Sequence, residues 1–280
     1  MTALQTTTRR TPEEMTEAAR QQLVDLLDGR LDRMAVSERA RILMEVTLLF
    51  LRHAEHTGAS TLALFDQIFL RLIDGLDAEM LAALSTALAQ LDNMPARTVS
   101  SLAHHADAAV AVPVLASAKS LTLSDLAAVA RAGGEDHLLA ICARTRVDAR
   151  LSAILVSRGR TVIDRLLTNP GAHFSIDDFC TALPRATADD RGRIALRQPA
   201  TILDLSGKSC GRGITLDISP GGVKLQIEPG AQLSETFTIE LTSIGQIRLR
   251  CRLAWQQIAT IGVQFTKPLA EQLTAGASKH

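Results

Sequence analysis

The sequence has no tyrosine, one tryptophan and seven phenylalanines in 280 residues. A chain so poor in aromatic rings and so rich in Ala and Leu is expected to build much of its core from packed helices. Cysteine is sparse as well. Cys142, Cys180, Cys210 and Cys251 are scattered with no CxxC pair, which argues against a zinc site or a disulfide frame and fits reduced thiols in a cytoplasmic protein. The opening stretch, MTALQTTTRRTPEE, has no apolar core, so no secretory signal is expected. Every apolar stretch is broken by charge or proline well short of a membrane span. There is no net charge, yet the neutrality hides an asymmetry. Residues 1–190 carry 19 basic and 24 acidic side chains, whereas residues 191–267 carry 10 basic and 5 acidic. The basic C-terminal stretch suits an anionic ligand and is too weak to argue for nucleic acid.

Catalytic constellations are missing too. No Ser/His/Asp set, paired carboxylates or phosphate loop stands out, so an enzyme is not expected. His53 and His56 could share one side of a helix, but no third ligand is in view and no metal is expected. His104 and His105 are adjacent, so they point to different sides of a helix and read as surface.

What is present divides by period. Residues 1–10 are polar and threonine-rich, and read as a disordered N-terminus. Thr11-Pro12-Glu13-Glu14 reads as a capped helix start, followed by an apolar stripe at Met15, Ala18, Ala19, Leu23, Leu26 and Leu27. Ser37 is expected to cap the next helix. Helical segments then follow over 62–76, 78–91, 96–103 and 108–116, with a capping box at Thr122-Leu-Ser-Asp125 and further helices over 126–131, 136–143, 149–157 and 161–167. Many short amphipathic helices, each too small to bury its own face, predict an all-α repeat of HEAT-like type over residues 11–184. Leu88-Ala-Gln-Leu-Asp-Asn-Met-Pro95, Val110-Ala-Val-Pro-Val-Leu115, Ile141-Cys-Ala-Arg144 and Leu166-Leu-Thr-Asn169 resemble an uncharacterised bacterial helical-repeat domain over roughly residues 60–180. That resemblance implies a fold and no chemistry.

The pattern changes after Pro184. Residues 185–197 read as a hinge, and from 198 to 280 the period is two. Strands are expected over 200–205, 213–218, 222–227, 237–241, 246–256 and 260–265, with turns at their Gly- and Pro-bearing gaps and a terminal helix over 268–274. Six short antiparallel strands make a small barrel. Trp255 is expected in its core. Arg248, Arg250 and Arg252 alternate with Ile247, Leu249, Cys251 and Leu253, which predicts a solvated face.

Two motifs bracket the first strand of that barrel: Arg193-Ile-Ala-Leu-Arg197, and Asp217-Ile-Ser219-Pro-Gly221-Gly222. Guanidinium planes pair bidentately with phosphate and with the O6/N7 edge of guanine, and they stack on purines. The second motif supplies a carboxylate, a hydroxyl and a glycine turn. RxxxR followed by [D/N]xSxxG resembles the PilZ family, bacterial receptors for cyclic di-GMP. The stretches Arg252-Leu-Ala-Trp255 and Gly262-Val-Gln-Phe265 resemble that family's closing strands, so a PilZ-type six-stranded antiparallel barrel is implied.

The resemblance implies that Arg193 and Arg197 clamp phosphate and the Hoogsteen edge of guanine, that Asp217 and Ser219 bond a guanine, and that Gly221 and Gly222 keep the turn clear. Family members often carry arginine directly before the first motif arginine, where this chain has Gly192 with Arg191 one step earlier. Either Arg191 substitutes, or the site takes one ligand rather than an intercalated pair. The implied function is a cytoplasmic cyclic di-GMP receptor without a further cofactor, in which ligand orders the hinge and alters a protein-partner surface on the helices. The alternative is a nucleotide-independent scaffold with a degenerate barrel.

Overall fold

The computed structural model describes Gln21, Val24, residues 34–231 and residues 233–277. The helix start expected at Thr11 lies outside them. By internal contacts the chain divides into two compact units, Met1–Asp125 and Leu126–His280.

In the first unit, α1 spans Val36–His53 and buries Ile42, Leu43, Val46 and Phe50, an apolar stripe at helical spacing. Its N-cap is Ala35, and the expected cap Ser37 sits inside the first turn instead. The Ala35 carbonyl already accepts from the N–H groups of Glu38 and Arg39, at 3.0 Å each, so the helix starts earlier than its first hydroxyl. Helices α2 (Ala59–Leu72), α3 (Ala78–Ala89), α4 (Ala96–Ala103) and α5 (Ala108–Ser117) follow, and α6 (Leu123–Ala132) spans the division between the units. Phe50, Phe65 and Phe69 meet at ring-centroid distances of 4.9, 5.8 and 6.1 Å, so three of the few aromatic rings are concentrated in one fully buried cluster.

The caps follow the chemistry. Asp77 caps α3 and Asp107 caps α5 through the N–H groups of Met80 and Ala109. The box read at Thr122 is formed, with the Asp125 N–H donating to Thr122 Oγ1 at 3.1 Å and the Thr122 N–H to the Asp125 carboxylate at 3.0 Å. Helix α4 follows Pro95, which offers no side-chain acceptor. Asp66 of α2 supplies one from a distance: its carboxylate accepts from the N–H groups of Arg97 (3.1 Å) and Thr98 (2.7 Å) and from the Thr98 hydroxyl (2.7 Å).

The second unit holds α7 (Glu135–Cys142), α8 (Ala149–Val156), α9 (Arg160–Leu167), α10 (Ile176–Ala182), the strands and the final helix α11 (Leu269–Ala277). The Asn169 amide donates to the carbonyls of Cys142 and Arg144 at 2.7 Å each, closing the end of α7. In the first unit Asn93 does the same for Ala54 and Thr57, at 2.8 and 2.9 Å. The same device thus occurs in both units. Helix α10 was not expected; Ser175 caps it by accepting from the Asp178 N–H at 3.0 Å.

Seven strands follow: β1 (Ile194–Ala195), β2 (Pro199–Leu203), β3 (Ser209–Ser219), β4 (Gly222–Ile227), β5 (Thr236–Leu241), β6 (Ile247–Gln257) and β7 (Thr260–Phe265). Six of them, β2 to β7, close an antiparallel barrel in the order β2-β5-β6-β7-β4-β3, and β3 pairs back to β2. Its interior holds Ile202, Ile218, Leu225, Phe237, Ile239, Leu249, Cys251 and Ile261, alternating with outward residues as period-two strands require. The arginines at 248, 250 and 252 are all exposed, and Arg248 bonds Glu240 at 2.6 Å. All four cysteines are free, and burial pushes the thiols of Cys142 and Cys251 up to about 12.

Because Asp66 serves two buried donors of Thr98 and the part-buried N–H of Arg97, Asp66→Ala is expected to destabilise the first unit by about 2 kcal/mol, read as a lower midpoint in urea unfolding.

Candidate functional site

The arginine segment forms a tight loop before the barrel. Ala188 bridges Ile194, the Asp189 N–H donates to the Arg193 carbonyl at 2.8 Å, and the Gly192 N–H donates to the Asp189 carbonyl at 2.9 Å. Gly192 has φ +69°, a left-handed conformation that an arginine would adopt only under strain. The loop of this chain therefore turns at a residue without a side chain.

Asp189 organises the loop. Its carboxylate accepts from the N–H groups of Arg191 and Arg193 at 2.9 Å each, and from Arg193 Nε and Nη2 at 2.9 and 2.7 Å. The bonds from the Arg193 side chain, then those from the backbone, hold the Asp189 carboxyl at about 2. Arg193 also faces a second carboxylate, with Nη1 4.0 Å from Asp217 Oδ2. Asp189 lies within the 185–197 segment that reads as a hinge. Its position four residues before Arg193 was the available signal.

Strand β1 joins the two motifs. Ala195, midway between Arg193 and Arg197, pairs with Asp217, and Ile194 pairs with Ile218. Leu196 and Ile218 are buried, whereas Ala195 and Arg197 are exposed and Arg193 and Asp217 half-buried. Alternation therefore puts the arginines and Asp217 on the outer side. Among the described residues no protein partner is found for the Arg197 or Arg191 guanidinium; the Arg197 backbone N–H donates to the Leu167 carbonyl at 3.0 Å.

Ser219 shares the outer side of β3 with Asp217, and its hydroxyl donates to the Gly222 carbonyl at 3.3 Å. The two turn glycines differ. A Cβ on Gly222 would stand 2.2 Å from the Val263 carbonyl oxygen of β7, so the barrel wall itself demands glycine there. Gly221 has open space around it and its φ is not left-handed, so neither sterics nor backbone requires glycine there.

Register extends the outer row across four barrel strands. Asp217 pairs with Lys224, Lys224 with Gly262, and Gly262 with Trp255. Trp255 is 42% exposed, which corrects the expectation that it sits in the core. A register shift between Leu253 and Trp255 turns the indole outward, and it lies across Gly262, where a Cβ would meet Nε1 at 2.2 Å. Lys224 and Trp255 joined the row only through strand pairing, which single-sequence periodicity does not reveal. Among the described residues no group of three or more His, Cys, Asp or Glu could hold a metal ion, and no helix is long and apolar enough to cross a membrane.

Two outcomes follow from this geometry. Gly222→Ala is expected to lower the melting temperature of the barrel strongly, while Gly221→Ala leaves it nearly unchanged in the same thermal scan. Carbon-13 NMR should find the Asp189 carboxyl titrating near 2, and Arg193→Ala should return it towards the ordinary 3.8. Since the folded value is depressed, the pair's stabilisation is present above the ordinary aspartate range and is lost as pH falls through about 2.

Residues 188–275 match the PilZ domain family, and residues 110–202 match a family described as an uncharacterised protein conserved in bacteria (DUF2336). No curated protein matches the chain. Among solved structures it is similar to the crystal structure of the PilZ domain of CeSA from a cellulose-synthesizing bacterium. That similarity is 21% in identity with a TM-score of 0.25, covering 30% of this chain and 90% of that one. With a closed six-stranded barrel behind both arginine and Asp-x-Ser-x-x-Gly motifs, the C-terminal part of this chain is a PilZ domain, preceded by a helical region of the DUF2336 family.

Proposed function

We propose that this protein is a cyclic di-GMP receptor that binds the dinucleotide on the outer face of its barrel. What supports the reading most is the pairing of Ala195 with Asp217, which puts Arg193 and Arg197 on either side of the Asp217 strand position. In the proposed complex Arg197, with Arg191 beside it, engages phosphate and the guanine edge. Arg193 exchanges its bond to Asp189 for one to the ligand. Asp217 and Ser219 accept and donate at the guanine edge, and Gly221 leaves the turn open. Gly222 contributes by letting β4 close against β7, so the turn stands where the ligand needs it.

Ligand-driven ordering then concerns side chains more than backbone. The segment is tied at Thr187, whose N–H and hydroxyl donate to the Asp164 carboxylate at 2.8 and 2.6 Å, and at Arg197 through Leu167. The groups left for the ligand to fix are the guanidinium groups. The ordered site changes a surface of the helical region that docks a protein partner, so the protein acts as an adaptor rather than an enzyme. We place it in the cytoplasm, where free thiols persist. The scaffold reading differs in one respect: it requires indifference to the nucleotide.

Trp255 is the one tryptophan of the chain, and there is no tyrosine, so its emission reports on this face alone. Titration with cyclic di-GMP is expected to change Trp255 fluorescence saturably. Arg197→Lys should weaken the apparent affinity by about tenfold or more, since a lysine lacks the planar fork. Unchanged fluorescence, with no heat of binding, would favour the scaffold.

A further inference from the structure

The residue following the second motif arginine is Gln198, which is fully buried and uses every polar atom it has. Its backbone N–H donates to Thr215 Oγ1 at 2.8 Å, and its carbonyl accepts from the Thr215 N–H at 3.0 Å. Its side-chain amide nitrogen donates to the carbonyls of Asn169 (2.8 Å) and Leu167 (3.3 Å), at and just beyond the end of α9. Its side-chain oxygen accepts from the Ser243 hydroxyl, at 2.7 Å, in the turn between β5 and β6. That turn continues the connection, because the Ser243 carbonyl accepts from the Phe174 N–H at 2.8 Å.

We propose that Gln198 is a positioning residue that sets Arg197 for the ligand and carries its occupancy into the 167–174 turn and the end of α7; this rests on the cyclic di-GMP reading above. Arg197 and Gln198 share the Leu167 carbonyl as acceptor, so the backbone under the arginine cannot shift without disturbing the end of α9. From Asn169 the chain of bonds runs to the carbonyls of Cys142 and Arg144. All of these groups lie in the second compact unit. The bonds that Gln198 makes to Thr215, Leu167 and Ser243 are buried, and an unmet buried amide is costly. Restraint applied at Arg197 is therefore felt as reduced opening of the helical turn rather than dissipated in a loose linker.

Hydrogen–deuterium exchange on the full-length protein, with and without cyclic di-GMP, tests this. In the wild type, saturating ligand is expected to slow exchange over residues 217–224 and also over 165–175 and 141–147. In Gln198→Leu, affinity should fall by about tenfold. At saturation the 217–224 protection should remain, while that over 165–175 is lost. Ser243→Ala, which removes only the bond to the side-chain oxygen, should reduce the 165–175 protection partway, and it carries the test if Gln198→Leu does not fold. Equal protection of 165–175 in wild type and variants would overturn the proposal, as would wild-type protection confined to 217–224. Absence of binding to the wild type would defeat the receptor reading itself, and this inference with it.

Discussion

Strand β3 is the constraint on which the site rests. Its eleven residues pair with β1 and β2 along one edge and with β4 along the other. Because both edges are occupied, Asp217 and Ser219 have no freedom of register. A slip of one residue would carry them to the inner face and Ile218 to solvent. The shift between Thr215 and Asp217 lets one strand serve two purposes. Thr215, fully buried, holds Gln198, while Asp217, two residues on, belongs to the outer row. Gly222 completes the arrangement, since only a residue without Cβ lets β4 approach β7 closely enough to close the barrel behind the turn.

The electrostatics of the site follow from that rigidity. Arg193 rests on Asp189, so its guanidinium is already oriented. The arrangement also imposes a threshold. On the receptor reading proposed above, a ligand must compete with Asp189 for Arg193.

Much of the fold is legible in the sequence, and the departures from it have physical reasons. The strand and helix segments were readable because their apolar residues keep periods of two and 3.6. The motifs were readable because their spacing survives as residue numbers. Trp255 was misplaced because a bulge reverses the in-out alternation that otherwise predicts burial. Ser37 was misread because Ala35 opens the helix without any side-chain cap. Helix α10 has only seven residues, too few for a helical stripe to emerge, although Ser175 and Asp178 carried its start signal. The close approach of Gly222 to Val263 of β7 is not legible in the sequence, because strands distant along the chain meet there only on folding. Gln198 reads as an ordinary polar residue beside a proline; nothing local announces that it is buried. A change of period marks where strands begin, whereas the bonds of Gln198 show which helices the barrel holds.

The most direct test of the account is isothermal titration of the full-length protein with cyclic di-GMP, cyclic di-AMP and GMP in parallel. The account predicts saturable binding of cyclic di-GMP that Asp217→Ala abolishes, with much weaker heats for the other two, because guanine and paired phosphates are both required. Binding of cyclic di-AMP with equal affinity, or cyclic di-GMP binding that survives Asp217→Ala, would contradict it.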